Sequence, residues 1–163
     1  MEKRWELKKV NSTLVPKLME DLGVNEIIAQ LLVLRGINNF DAAKRFFRPE
    51  LSHLYDPFLM KNMRKAVTRI ESAINQNENI LIYGDYDVDG TTSVAMLYSF
   101  LKKHTQNIEY YIPCRYDEGY GISLKGIDYA SKKNISLIIA LDCGIRAVKQ
   151  IDYANEKAID VII

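Results

Sequence analysis

The segment YGDYDVDGTTS at residues 83–93 is the part of the sequence that decides the fold. It follows a short apolar run at residues 80–83 and precedes a stretch with a helical pattern, which we place at residues 93–103. A buried strand that passes through glycine into a helix is typical of α/β proteins, whose ligands bind at the carboxyl ends of the strands. The three aspartates of this segment are therefore predicted to lie at that edge of a sheet.

The rest of the C-terminal half repeats this alternation of apolar runs and helical patterns. Further strands are predicted at residues 108–112, 137–141 and 161–163, and further helices at residues 123–132, capped by Ser123, and 147–157. Continuous apolar runs indicate strands that are buried on both faces. The sequence therefore predicts an α/β fold, in which a parallel sheet carries helices on both faces.

The N-terminal part of the chain has a helical pattern throughout. Helices are predicted at residues 14–22, 24–34, 42–47 and 61–75, with Gly36 ending the second and Asp41 capping the third. We therefore divide the chain into a small helical N-terminal region, residues 1–78, and the first part of an α/β domain, residues 79–163. The last apolar run has no terminator, so we expect the sheet to be incomplete and the chain to stop inside a fourth strand.

The acidic segment is predicted to bind a metal ion. Its three carboxylates, Asp85, Asp87 and Asp89, repel one another by about 3 kcal/mol per pair at a separation of about 5 Å. A divalent cation would turn this repulsion into binding energy, and oxygen ligands favour magnesium or manganese. The alternative is that the aspartates cap the following helix and remain solvated.

Two other motifs fit the segment less well. A calcium-binding EF-hand loop requires glutamate at its twelfth position, and counting from Asp85 that position is Met96. A phosphate-binding P-loop requires four residues between its glycines and a lysine after the second. Here five residues separate Gly84 from Gly90, and Thr91 takes the place of lysine. We therefore favour a metal site at the end of a strand.

A second acid occupies the corresponding position after another strand. Asp142 follows the apolar run at residues 137–141 and is followed by Cys143 and Gly144. If the two strands are neighbours, Asp142 can reach the same ion as the first acids and can bridge two metals. A pair of divalent ions can activate water and stabilise the leaving oxygen of a phosphodiester. The alternatives are a turn role for Asp142, and for Cys143 packing rather than metal ligation.

Composition leaves the class of partner open but restricts the compartment. The chain has 22 basic and 21 acidic residues in 163, so its net charge of +1 does not indicate a nucleic-acid partner. A local basic patch would nevertheless suffice to bind phosphates. No apolar run reaches the roughly 18 residues of a membrane span, and the first residues lack the apolar core of a secretory leader. The only cysteines are Cys114 and Cys143. We therefore expect a cytoplasmic protein with free thiols and no membrane partner.

The ordered motifs of the chain resemble those of the DHH family of phosphoesterases, in its branch of exonucleases specific for single-stranded DNA. Residues 83–93 resemble the first motif and LDCGI at residues 141–145 the second. YIPCRYDEGYG at residues 111–121 is similar to the segment between them. The family is named for an Asp-His-His motif, and residues 160–163 resemble the approach to it.

The resemblance implies roles for four acids and leaves one ligand open. It makes Asp87, Asp89 and Asp142 ligands of two divalent cations, Mn²⁺ or Mg²⁺. Asp85 becomes an outer ligand or a group that positions water, so that all four are catalytic. Related pyrophosphatase-like members carry histidine where this chain has Tyr83, which leaves the ligand set of one metal open.

Three residues are candidates for substrate binding. Arg115 is suited to pair with a phosphate through two donors, or alternatively with Asp117 or Glu118 in a salt bridge. Tyr120 is suited to stack on a base or to pack against the domain. Arg146 follows the second motif and either faces the cleft or is solvent-exposed.

The resemblance implies hydrolysis of single-stranded DNA from the 5′ end by metal-activated water, in DNA repair and recombination. Helicases or single-strand-binding proteins are the partners it implies. The fragment itself is expected to have little activity. Two alternatives stay open: a DHH phosphodiesterase acting on oligoribonucleotides or cyclic dinucleotides, and a non-catalytic metal-binding module.

Overall fold

Strands and helices alternate through the C-terminal half of the chain, as the sequence predicts. The structure is a computed structural model that describes residues 4–163. Its elements, in chain order, are α1 (Leu14–Leu22), α2 (Glu26–Leu34), α3 (Phe40–Phe47), two short 3₁₀ turns (Leu51–His53 and Pro57–Leu59), α4 (Met63–Asn75), β1 (Ile80–Gly84), α5 (Val88–Leu101), β2 (Ile108–Tyr111), α6 (Leu124–Lys132), β3 (Leu137–Leu141), α7 (Val148–Glu156) and β4 (Asp160–Ile162).

The four strands form one parallel sheet in the order β2-β1-β3-β4. The two central strands, β1 and β3, are direct neighbours, and their last residues, Gly84 and Leu141, are opposite each other. The carboxyl ends of these strands therefore meet at one point of the sheet edge.

Helices cover both faces of the sheet because the strand side chains are apolar in both directions. Leu81 and Tyr83 point into a core with residues of α6 and α7, whereas Ile80 and Ile82 point into a second core with residues of α4 and α5. All five residues of β1 are buried. This arrangement confirms the predicted α/β class with helices on both faces.

The chain forms two compact units, one that ends at Pro57 and one that comprises Phe58–Ile163. The first contains α1 to α3, which enclose a small core of apolar residues from the three helices and the turn after α2, including Leu18, Leu32 and Ala43. The second contains α4 and the sheet with its helices. The division into residues 1–78 and 79–163 stays a prediction.

Several helix starts differ from the predicted ones, and capping explains two of them. α5 begins at Val88 rather than Ser93, because the Asp87 side chain accepts a hydrogen bond from the Gly90 N–H at 3.0 Å. α3 begins at Phe40, where Asn39 rather than Asp41 provides the cap by accepting from the Ala42 N–H at 2.8 Å. An acid in the first turn is favoured by the helix dipole and imitates a cap in the sequence.

No helix within residues 4–163 combines the length and the apolar character needed to cross a bilayer.

Candidate metal and active site

Two acids lie side by side because their strands do. Asp85 directly follows β1 and Asp142 directly follows β3, and the two strands are paired up to Gly84 and Leu141. The parallel register thus brings together two residues that are far apart in sequence. A shared metal site was predicted only if the two strands are neighbours, and they are neighbours.

Asp85 is fully buried and only half satisfied. Its Oδ1 accepts a weak hydrogen bond from the Gly121 N–H at 3.3 Å, while its Oδ2 is buried and has no hydrogen-bond partner. A buried polar atom without a partner costs about 1–3 kcal/mol, and in a folded protein it points to an ion or an ordered water. The orphaned oxygen is therefore evidence for a bound group at this edge.

The other two acids of the first motif lie at the start of α5. Asp87 is its N-cap and Asp89 is in its first turn. The helix can begin so close to the strand because of two glycines: a Cβ on Gly90 would be 2.3 Å from the Asp85 carbonyl oxygen, and one on Gly84 would be 2.2 Å from the Val94 side chain. The predicted alternative, that these aspartates cap the helix, therefore holds for Asp87 without removing it from the cluster.

Asp142 faces the first motif from β3. Its pKa is raised, first by desolvation and then by the negative charges of Asp87, Asp89 and Asp85. It also has φ of 55°, in the left-handed region, where aspartate is one of the few tolerated residues. Asp142 thus lies close enough to the three acids of the first motif for their charges to act on its own.

The donor atoms of these residues are of the kind that binds a divalent cation. Within residues 4–163 no group of three or more His, Cys, Asp or Glu side chains forms a ready-made metal site. The acids offer oxygen donors alone, the set preferred by Mg²⁺ and Mn²⁺.

Tyr83 and Cys143 serve the structure. The Tyr83 hydroxyl donates to the Gly121 carbonyl and accepts from the Ser123 N–H, both at 3.0 Å, and burial raises its pKa to about 12. Cys143 is buried in the core, donates to the Leu141 carbonyl at 3.2 Å, and has a pKa raised to about 12, first by burial. The packing alternative for Cys143 fits these contacts.

The three candidate substrate residues border the acids at different positions. Arg115 stacks its guanidinium on the Tyr86 ring, 4.5 Å from the centroid. Tyr120 is 62% exposed, donates to the Asp142 carbonyl at 3.3 Å and meets the Tyr86 ring edge to face. Arg146 is exposed and lines an open cavity of about 440 Å³ together with Tyr120.

The sequence did not indicate the roles of two residues of this site. Tyr86 lies between two aspartates, where the acids dominate the pattern, and its contact with Arg115 joins segments that no periodicity connects. Glu118 accepts hydrogen bonds from the Tyr111 hydroxyl, the Cys114 N–H and the Ser123 hydroxyl. The sequence offered Glu118 only as a salt-bridge partner of Arg115, a pairing that the salt bridges of residues 4–163 do not include.

A parallel sheet with acids at the ends of neighbouring central strands defines an α/β protein suited to metal-dependent chemistry. Residues 79–163 match the family model for the N-terminal domain of the DHH family, and the chain belongs to that family.

Curated relatives and solved structures narrow the likeness further. The chain is 41% identical over 160 residues to the single-stranded-DNA-specific exonuclease RecJ of Bacillus subtilis, covering 98% of this chain and 20% of the relative. It is 31% identical over 138 residues to RecJ of Escherichia coli K12, covering 84% of this chain and 23% of the relative.

A crystal structure of Thermus thermophilus RecJ in complex with Mn²⁺ matches with a TM-score of 0.65 at 25% identity, covering 91% of this chain and 20% of that one. A second, in complex with Mg²⁺, shares the fold with a TM-score of 0.55 at 24% identity, covering 93% and 18%. The chain therefore spans about a fifth of the length of the relatives it matches.

Proposed function

We propose that the protein containing this chain is a RecJ-like exonuclease that hydrolyses phosphodiester bonds of single-stranded DNA from the 5′ end with two divalent cations, Mn²⁺ or Mg²⁺. The observation that carries the proposal is the convergence of Asp142 on the acids of the first motif, next to the orphaned oxygen of Asp85. Family membership and the similarity to RecJ supply the substrate and the direction.

Three of the acids are proposed as metal ligands, and the fourth as a group that positions the adjacent loop and water. Asp87, Asp89 and Asp142 would hold the cations, with Asp142 facing the other acids from its own strand. A bound pair of such ions lowers the pKa of water and neutralises charge on the phosphate. Asp85 fixes the adjacent loop through the Gly121 N–H, and its free Oδ2 can accept a proton-bearing partner such as water.

The rim of the site would hold the substrate. Arg115 offers a planar guanidinium for a phosphate group, and Arg146 offers a second positive charge beside the cavity. Tyr120 presents an exposed ring next to Asp142, at which a base could stack. The acids would thus meet the scissile phosphate while these three residues hold the neighbouring nucleotides.

The wider role follows from the same likeness. We propose a function in DNA repair and recombination, with helicases or single-strand-binding proteins as partners. Cys114 and Cys143 are free thiols, which is in keeping with a reducing cytoplasm as its location. Because the chain spans about a fifth of its relatives, we also propose that residues 1–163 alone degrade DNA far more slowly than the intact protein.

Hydrolysis of end-labelled DNA by the intact protein tests the proposal. With Mn²⁺ present, single-stranded DNA labelled at the 5′ end should release label at once, and duplex DNA should persist. Asp89→Asn should abolish release, whereas Asp152→Asn, which alters an exposed acid of α7, should retain it. Full activity of the Asp89→Asn variant would refute a metal-dependent hydrolase at these acids.

The same assay separates the alternatives. Faster hydrolysis of short oligoribonucleotides or cyclic dinucleotides than of long single-stranded DNA would indicate the other DHH phosphodiesterase function. Binding of Mn²⁺, lost in Asp89→Asn, without turnover of any of these substrates would indicate a metal-binding module.

A further inference from the structure

We propose that Tyr86 is a positioning residue, whose ring holds the Arg115 guanidinium next to the carboxylates with its N–H donors available for a phosphate. The inference rests on the proposed function and assigns the part of Tyr86 in substrate binding.

The contact itself leaves the donors of Arg115 uncommitted. The guanidinium carbon is 4.5 Å from the centroid of the Tyr86 ring, a distance at which the cation is attracted to the ring. The N–H donors of a guanidinium lie in its own plane and form the fork that matches a phosphate. Contact with a ring needs none of them, whereas a carboxylate partner would occupy two.

Of the two loop acids that could compete for Arg115, Glu118 is engaged elsewhere. Glu118 accepts from the Tyr111 hydroxyl at 2.9 and 3.0 Å and from the Cys114 N–H at 2.8 Å, and also from the Ser123 hydroxyl. Desolvation alone would raise its pKa, but these hydrogen bonds outweigh it and the pKa is lowered. Glu118 thus fixes the loop while remaining ionised, and within residues 4–163 Arg115 has no ion-pair partner.

The position of Tyr86 ties the arginine to the acids. Asp85 on one side is buried at the end of β1, and Asp87 on the other side caps α5, so the backbone of Tyr86 is fixed at both ends. The edge contact with Tyr120, with centroids 6.0 Å apart, supports the ring from the other loop.

The negative charge of the neighbouring acids explains why the Arg115 guanidinium needs to be held by a ring. A free guanidinium near the acids of the first motif and Asp142 would be drawn onto them and would compete with the cations. A ring that attracts the guanidinium holds the positive charge at the rim instead. It is the ring of Tyr86, and not its hydroxyl, that makes this contact.

The test is a double-mutant cycle in the intact protein, read by steady-state hydrolysis of single-stranded DNA with Mn²⁺. Tyr86→Leu and Arg115→Met should each raise KM by about tenfold, with a smaller change in kcat. The double variant should be no worse than Arg115→Met alone. Tyr86→Phe, which keeps the ring, should restore KM, and Tyr55→Leu, an exposed tyrosine of the other unit, serves as the control.

A second readout does not depend on turnover. In the absence of divalent ions, DNA binding measured over a range of salt should show a slope reduced by about one for Arg115→Met, and reduced likewise for Tyr86→Leu. Thermal unfolding checks the fold of each variant, and Tyr86→Met repeats the test if Tyr86→Leu unfolds early.

Additive effects of Tyr86→Leu and Arg115→Met, or a Tyr86→Phe variant as weak as Tyr86→Leu, would overturn the inference. These outcomes presuppose an active wild-type protein. A wild-type protein that does not hydrolyse single-stranded DNA contradicts the proposed function instead, and an unchanged salt slope in Tyr86→Leu would still refute the anchoring of Arg115.

Discussion

Acidic residues have opposite surroundings at the two ends of the strands, which we call the amino edge and the carboxyl edge of the sheet. At the amino edge, Glu78 accepts from both terminal nitrogens of Arg69 at 3.1 and 2.7 Å, and Asp160 accepts from the Arg69 Nε at 2.6 Å. The Ser136 hydroxyl also donates to Glu78. At the carboxyl edge, Asp142 faces acids of the first motif instead of a positive partner.

The directions of the pKa shifts record this difference. The hydrogen bonds from Arg69 and Ser136 lower the pKa of Glu78, whereas desolvation and the neighbouring acids raise the pKa of Asp142. The amino edge satisfies its own charges and contributes to stability. The carboxyl edge keeps unfavourable charges together, which a fold retains at functional sites where a cation compensates them.

The largest effect is expected from a single charge at the carboxyl edge. In the intact protein, Asp142→Asn should lower the rate of DNA hydrolysis by at least about a hundredfold. Mutation of residues that only hydrogen-bond to metal ligands already lowers metal affinity or activity by about 10–100-fold. Asparagine retains the left-handed backbone, so the loss reports on charge and not on folding. Single-turnover rates with saturating Mn²⁺ provide the measurement. A variant with unchanged rates would remove Asp142 from the site.

The approach of α5 to the carboxyl edge should depend on Gly90. In Gly90→Ala the new Cβ would lie 2.3 Å from the Asp85 carbonyl oxygen, where the backbone cannot yield without shifting the helix. We expect a loss of about 1–3 kcal/mol in the free energy of unfolding of this chain, measured in urea. Thr92→Ala, on an exposed position of the same helix, should be neutral or slightly stabilising. Equal stability of the two variants would show that the acids are not held by this contact.

The amino edge should lose stability when its charge is removed. Glu78→Gln should lower the free energy of unfolding by about 1–2 kcal/mol near neutral pH, since Arg69 loses its main partner. The pKa of Glu78 is lowered, so its contribution is present above the ordinary value of 4.5 and is lost as pH falls further. The difference between wild type and variant should therefore shrink in acid. Glu71→Gln, which changes an exposed acid of α4, is the matched control.

The smallest effect is expected to have the opposite sign. Without divalent ions, Asp142→Asn should unfold at a slightly higher temperature than wild type near neutral pH, because it removes a charge that the neighbouring acids oppose. A raised pKa means that the ionised carboxylate costs stability as pH rises, so the gain should fade in acid. Added Mn²⁺ should stabilise wild type more than the variant. A destabilised metal-free variant would contradict the contrast between the two edges.

The sequence predicted the sheet better than its connections. The strand at 80–83 lengthened by one residue to Gly84, and the strand at 137–141 matched fully, because continuous apolar runs identify buried strands directly. The start of α5 was missed by five residues, because its first turn is acidic and carries no apolar period. Capping by Asn39 instead of Asp41 was missed because the two candidates lie two residues apart and only the backbone chooses between them.

In the candidate site, too, the sequence indicated what depends on local pattern and missed what depends on distant partners. The four acids were singled out because they follow apolar runs, Asp85 and Asp142 directly after a strand and the other two at the start of the next helix. Tyr86 and Glu118 were not predicted in their roles, because these roles depend on partners in other segments: the guanidinium of Arg115 for one, and three donors of the loop and β2 for the other.

The sequence by itself determined which residues form strands and which acids end them, because the alternation of apolar runs and helical patterns is local information. Only the tertiary structure decided that β1 and β3 are neighbours, that the charge of Asp87 acts on Asp142, and that one oxygen of Asp85 stays without a partner. The physical reason is that strand order, desolvation and the repulsion between distant charges arise when segments pack together, and no local pattern of residues contains them.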